Sequence, residues 1–134
     1  MTGPSLVGWK FLDFKNQRGE NEIRTWAHRE GPKLRARLNT LILHLQALDR
    51  PLTRHDNVGL LRQAGDCHGQ KLIELTITIG KVEYRPIGFY GPNQREIILL
   101  MGAKEKGNQF EPRNACQTAI NNKNLVLTAP GRFT

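Results

Sequence analysis

The sequence predicts an α+β fold, with an N-terminal strand and two helices packed on an antiparallel sheet and a short helix at the C-terminus. Three observations carry this. Leucines recur at helical spacing between Pro32 and Pro51; apolar and polar residues alternate strictly from Ile73 to Ile79; and an almost unbroken apolar run spans Glu96 to Met101. The first pattern has the period of a helix, the second that of a half-buried strand, and the third suits a strand buried on both faces.

Trp9 to Phe14 (W-K-F-L-D-F) is short and aromatic and reads as the first strand. A polar patch from Lys15 to Glu20, with Asn16 and Gly19, turns the chain into Asn21–Arg29, where Ile23, Trp26 and Ala27 share one helical face. Gly31-Pro32 separates this helix from the next, and proline suits a first helical residue because the amide it lacks has no partner there. In the second helix Leu34, Leu38, Leu41, Leu45 and Leu48 draw one apolar stripe up to Pro51, which ends it. A stripe of about two heptads is short for a coiled coil and is expected to pack on the sheet. Asp49 to Gln70, with Val58, Leu60 and Leu61 as its apolar cluster, reads as a loop.

From Leu72, the residues Ile73, Leu75, Ile77 and Ile79 face one way and Glu74, Thr76 and Thr78 the other. Gly80-Lys81 has the chemistry of a two-residue hairpin turn. That turn sets Ile79 against Val82, Ile77 against Tyr84 and Thr76 against Arg85, so Arg85 points away from the apolar face. Gly91-Pro92-Asn93 turns the chain again into the strand at Glu96, which completes an antiparallel meander. Gly102 to Gln109 reads as a glycine-flanked loop carrying Lys104 and Lys106, and Pro112 to Asn122 as a closing helix that packs Ala115 and Ala119. The whole chain, 1–134, is expected to form one domain with loose tails at 1–8 and 125–134.

Twenty Lys and Arg against twelve Asp and Glu give a formal charge of +8, and a polyanion is the natural partner of so basic a body. No apolar run approaches the roughly 20 residues of a membrane span. Met1 to Gly8 has none of the marks of a secretory signal, so a cytoplasmic protein without membrane association is expected, with Cys67 and Cys116 as free thiols. The spacing of Cys, His and acids supports no metal site.

His-Glu-x-x-His, Gly-x-Ser-x-Gly and Gly-x-Gly-x-x-Gly do not occur, and Gly102 to Gly107 continues with Asn-Gln where a phosphate loop needs Lys-Ser or Lys-Thr. The remaining constellation is cationic: Arg85 with Thr76 opposite, Lys71 before the strand, and Lys104 and Lys106 after the last one. A guanidinium fixed on a strand can hold two phosphate oxygens and offset charge that develops during phosphoryl transfer. The same spacing equally allows Arg85 to pair with Glu83 or Glu74.

Glu74-Leu75, Tyr84-Arg85 one hairpin later, the strand Ile97-Ile98-Leu99-Leu100, Lys104-Glu105-Lys106, Pro112 and Ala119 follow one another in an order and spacing that resembles the RelE-like toxins. The closer likeness is to the phage-derived, HigB-like branch of bacterial toxin–antitoxin systems. Upstream, Ile23-x-x-Trp26 and the leucine-striped helix after Gly31-Pro32 agree with it. The resemblance implies a RelE-like fold and an endoribonuclease, an mRNA interferase needing neither metal nor cofactor, that cuts messenger RNA at the ribosome. It also implies an antitoxin partner with a helix-turn-helix domain.

In that chemistry a ribose 2′-hydroxyl attacks the adjacent phosphate, which calls for a base, an acid and cations. Arg85 matches the family's arginine, and Lys104 and Lys106 match its lysine loop. The family commonly continues Glu-Leu with arginine where this chain has Thr76, and no C-terminal Tyr or His aligns with the family's acid, so His68 (or His55) is the substitute considered. Lys71, Thr76, Tyr84, Arg62 and Arg35 are the expected RNA contacts. A silent RNA-binding protein or a gyrase poison on the same scaffold is the alternative reading.

Overall fold

The computed structural model describes residues 8–61 and 69–134. Strand β1 (Lys10–Asp13) leads into helices α1 (Glu22–Glu30) and α2 (Pro32–Gln46). After a 3₁₀ turn at Arg54–Asp56 come β2 (Val58–Leu60), β3 (Ile73–Leu75), β4 (Ile77–Ile79), β5 (Val82–Tyr90), β6 (Glu96–Lys106) and β7 (Gln109–Glu111). Helices α3 (Ala115–Thr128) and α4 (Pro130–Phe133) close the chain. The strands form one mixed sheet in the order β1-β6-β5-β3-β2, with β4 beside β5 and β7 beside β6.

Local chemistry explains the helix boundaries. The Asn21 side chain accepts a hydrogen bond from the Arg24 amide at the start of α1. Gly31, at φ 124°, ends α1 and opens α2, with Pro32 in its first turn. The buried stripe of α2 is Leu34, Leu38, Ile42 and Leu45. Leu41 is only half-buried and Leu48 lies past the helix end, because a 3.6-residue period drifts from strict alternation of threes and fours.

The hairpin register is as read from the turn: Ile79 pairs with Val82 and Ile77 with Tyr84, around Gly80 at φ 61°. The single strand expected from Leu72 to Ile79 is instead two segments. Between them the Thr76 amide donates to the Asn57 carbonyl, where Asn57, at φ 62°, turns the chain out of the 3₁₀ segment.

Several expectations are corrected. The sheet is mixed, because β1 runs parallel to β6, with the long connection that parallel pairing needs running through α1, α2 and the strands β2 to β5. Within the expected loop, β2 pairs with β3; three residues with a central glycine are too short to show a period. The lysine segment is strand: β6 continues through Lys106 and turns directly into β7. Gly102 marks close packing there, since a Cβ would lie 1.9 Å from the Trp26 ring.

The C-terminal tail is helical rather than loose, with Phe133 buried and stacked on Phe14 at 6.0 Å between ring centroids. Cys116 is disulfide-bonded, not a free thiol; such pairing depends on separation in space, which distance along the sequence does not report. Cys67 lies outside the described residues, as do residues 1–7. Among the described residues no helix is long and apolar enough to cross a membrane.

The sheet carries a core on each face. Ile73, Leu75, Ile77, Ile97 and Leu99 pack under α1 and α2. Ile87, Phe89, Ile98, Leu100 and Ala103 pack under α3 and α4, with Ala115, Ala119 and Phe133.

Candidate functional site

Alternation along β5 and β6 decides which side chains can meet. Arg85 lies on the same face as Ile87, beyond the apolar cluster that α3 covers, and its cross-strand neighbour is Ala103. Its guanidinium donates to the Thr76 hydroxyl, to Glu105 (Nε to Oε2, 2.9 Å) and to Glu83 (Nη2 to Oε2, 2.6 Å), while Glu74 Oε1 stands 3.8 Å away. Only 15% of the arginine side chain is exposed. Burial opposes its charge, but the carboxylates outweigh that and hold its pKa above the ordinary value. One positive charge therefore faces three formal negatives, and the sequence-level alternative, Arg85 paired with Glu83 and Glu74, is what the geometry shows.

Glu74 is the least satisfied member. Burial pushes its carboxyl up despite the attraction of Arg85, and the negative charges of Glu105 and Glu83 push the same way. Its Oε2 is buried and accepts no hydrogen bond from any described residue. Glu74, Thr76 and Arg85 line a cleft of about 320 Å³ together with Arg54, Asn57 and Gly59. A carboxyl of raised affinity for protons thus shares a pocket with two guanidinium groups and a hydroxyl.

The other expected site residues do not join this group. Lys104 is on the α1 face, where its Nζ lies 2.9 Å from Glu30; that hydrogen bond holds its pKa up. Lys106 pairs with Glu111 at 3.0 Å. Tyr84 also faces α1, edge-on to Trp26 at 6.1 Å. The step of one residue from Arg85 to Tyr84, and from Glu105 to Lys104, sends the side chains through opposite sides of the sheet.

Lys71 is exposed and close enough to Lys123 to lower its pKa, after burial as the larger cause. The Lys123 Nζ donates to the Gln70 carbonyl and sits over the Phe89 ring. Arg35 lies on α2, bonded to His28 Nδ1 at 3.2 Å. Arg62 and His68 lie outside the described residues. Thus Arg85 and Thr76 come together as expected, and the lysines and Tyr84 do not.

Glu105, Arg54 and Asn57 had no role in the sequence reading. Glu105 sits between glycines that read as a loop, where a side chain's face has no meaning, and the other two belong to the 3₁₀ turn, which the Thr53–Asp56 capping box holds and only the pairing of β2 with β3 brings to the site. Among the described residues no three His, Cys, Asp or Glu side chains are grouped to hold a metal ion. No protein-family model, curated protein or solved structure matches the chain.

Proposed function

We propose that this chain is a RelE-like, HigB-like toxin that cuts messenger RNA by attack of a ribose 2′-hydroxyl on the adjacent phosphate. The observation that carries the reading is the cleft in which Glu74, with an unpartnered oxygen and a raised pKa, sits beside Arg85, Arg54 and Thr76. The sequence of elements, one strand, two helices, a hairpin, a long strand and a C-terminal helix, agrees with what the resemblance implies, apart from the parallel pairing of β1. The charge of +8 suits a polyanionic substrate.

In the reaction, Glu74 takes the 2′-hydroxyl proton while O2′ bonds to phosphorus. The P–O5′ bond breaks, and the departing oxygen takes up a proton. The products are a 2′,3′-cyclic phosphate and a 5′-hydroxyl, with no water consumed. Arg85 and Arg54 offset the extra negative charge on phosphorus-bound oxygens in the transition state. For Arg85 to do so, the phosphate takes over donors now held by Glu83 and Glu105. The messenger RNA is met at the ribosome, and an antitoxin with a helix-turn-helix domain restrains the protein in the cytoplasm.

A second reading, RNA binding without cleavage, is favoured by one observation: the guanidinium of Arg85 is already held by two carboxylates, Glu83 and Glu105. Purified protein with single-stranded RNA and with ribosome-bound message, in EDTA, separates the two. Cleavage leaving cyclic phosphate ends, reduced about 100-fold or more by Glu74→Gln, is the expected result for a general base. Tight binding with no cut product establishes the second reading. Intact, unbound RNA removes both, and DNA damage in its place points to gyrase.

A further inference from the structure

Resting on the RNA reading, we infer that a second cleft, between β4 and α2, is a subsite for the nucleotide next to the scissile linkage. The substrate is then single-stranded RNA at least two nucleotides long, with Arg37 holding the outer phosphate.

β2 pairs with β3 only as far as Val58 against Leu75, and Asn57, in the left-handed region, turns the chain away. Among the described residues β4 pairs only with β5, and its other neighbour is α2. A cleft of about 380 Å³ lies there, lined by Arg37, Leu41, Asn57, Thr76, Ile77 and Thr78.

Asn57 and Thr76 line this cleft and the Arg85 cleft alike, so the two form one groove that bends over the edge of the sheet. Each half is large enough for one small ligand. The groove has a guanidinium toward each end, Arg54 in one half and Arg37 in the other. Between them stand hydroxyls of Thr76 and Thr78 and the carboxamide of Asn57, with Leu41 as an apolar wall. Cations at intervals, hydrogen-bonding groups between them and an apolar surface are what a single strand with splayed bases requires.

Arg37 is well suited to the outer phosphate. It is exposed and makes no ion pair with any described residue, unlike Arg24, Arg50, Arg85 and Arg95. Its charge is available to a ligand, whereas that of Arg85 is shared with carboxylates. Asn57 lines both halves, where a carboxamide can meet the edge of a base.

The test is binding of a trinucleotide RNA whose first and central 2′-hydroxyls are both replaced by hydrogen, so that neither linkage can be cleaved, followed by fluorescence anisotropy over a salt series. A nucleoside 3′-monophosphate, followed by NMR titration, and a blunt RNA duplex are measured beside it. Arg37→Gln is expected to weaken the trinucleotide about 10-fold and to make the log–log salt slope shallower by about 0.7, the share of one phosphate contact on a single strand. The monophosphate is unchanged, and the duplex binds less well than the single strand. Asn57→Gly keeps the positive φ and should weaken the trinucleotide while leaving the fold intact by circular dichroism.

Trinucleotide binding that Arg37→Gln leaves untouched overturns the subsite and leaves the RNA reading standing. Equal weakening of monophosphate and trinucleotide also overturns it, since Arg37 would then act in the first cleft. Failure of wild-type protein to bind any RNA removes the reading on which the subsite rests.

Discussion

Two neighbouring residues of β5 live in opposite surroundings. Tyr84 turns toward α1 and packs against Trp26, with Lys104 across from it tied to Glu30. Arg85 turns to the other face, past the reach of the apolar cluster under α3, and is held by Glu83, Glu105 and Thr76. A run of sequence that suggests one cationic centre is divided by the two-residue period of a strand. The difference teaches that function on this sheet is to be sought where helical cover stops, and that the Arg85 face there is not simply positive.

The largest test of this contrast is on the covered half of the Arg85 face. Phe133→Ala removes a buried ring stacked on Phe14 and is expected to cost about 3–4 kcal/mol, read from urea unfolding. A loss below 0.5 kcal/mol, typical of a surface position, would mean that α4 does not seal the core.

Next in size is a paired comparison of the two cations. Arg85→Ala leaves three carboxylates facing one another in a partly buried site and should destabilise by about 2 kcal/mol, less than a deeply buried pair because solvent reaches the site. It should also abolish RNA cleavage, assayed below the new unfolding midpoint. Lys104→Ala removes a bridge at the sheet surface, should cost under about 1 kcal/mol and should leave cleavage unchanged. Equal loss of cleavage in both variants would break the comparison, since it would put the two faces in one site.

The smallest effect concerns pH. The folded-state pKa of Glu74 is raised, so its contribution favours the folded state below the ordinary carboxylate range and is lost as pH rises through the raised value. Glu74→Gln has no such loss. Its stability relative to wild type should therefore improve from pH 4 to pH 8, measured by urea midpoints at each pH. A constant difference across that range would show that Glu74 is not titrating in a buried setting.

Much of the fold was legible. The Asn21 cap, Gly31-Pro32 and the apolar faces locate α1 and α2, and Gly80-Lys81 sets the register that brings Thr76 to Arg85. The candidate site was legible in that pair and in Glu83 and Glu74 as partners of Arg85. Glu105 was hidden because Gly102 and Gly107 look like loop residues. In the fold Gly102 gives way to Trp26, and Gly107, at φ 60°, sits in the β6–β7 turn. Arg54 and Asn57 lie in a 3₁₀ turn that the Thr53–Asp56 capping box holds, but its place beside the site depends on the pairing of β2 with β3, which has no signature of its own.

The sequence by itself determined the α+β class, the two N-terminal helices, the β4–β5 hairpin and the face on which Arg85 stands. These follow from periodicity and turn chemistry that act over a few residues. Only the tertiary structure decided that β1 lies parallel to β6, that the lysines belong to a strand, that Phe133 closes a core, and that three carboxylates surround Arg85. Each of those depends on which distant segments meet, and a contact between residues far apart in sequence leaves no period to read.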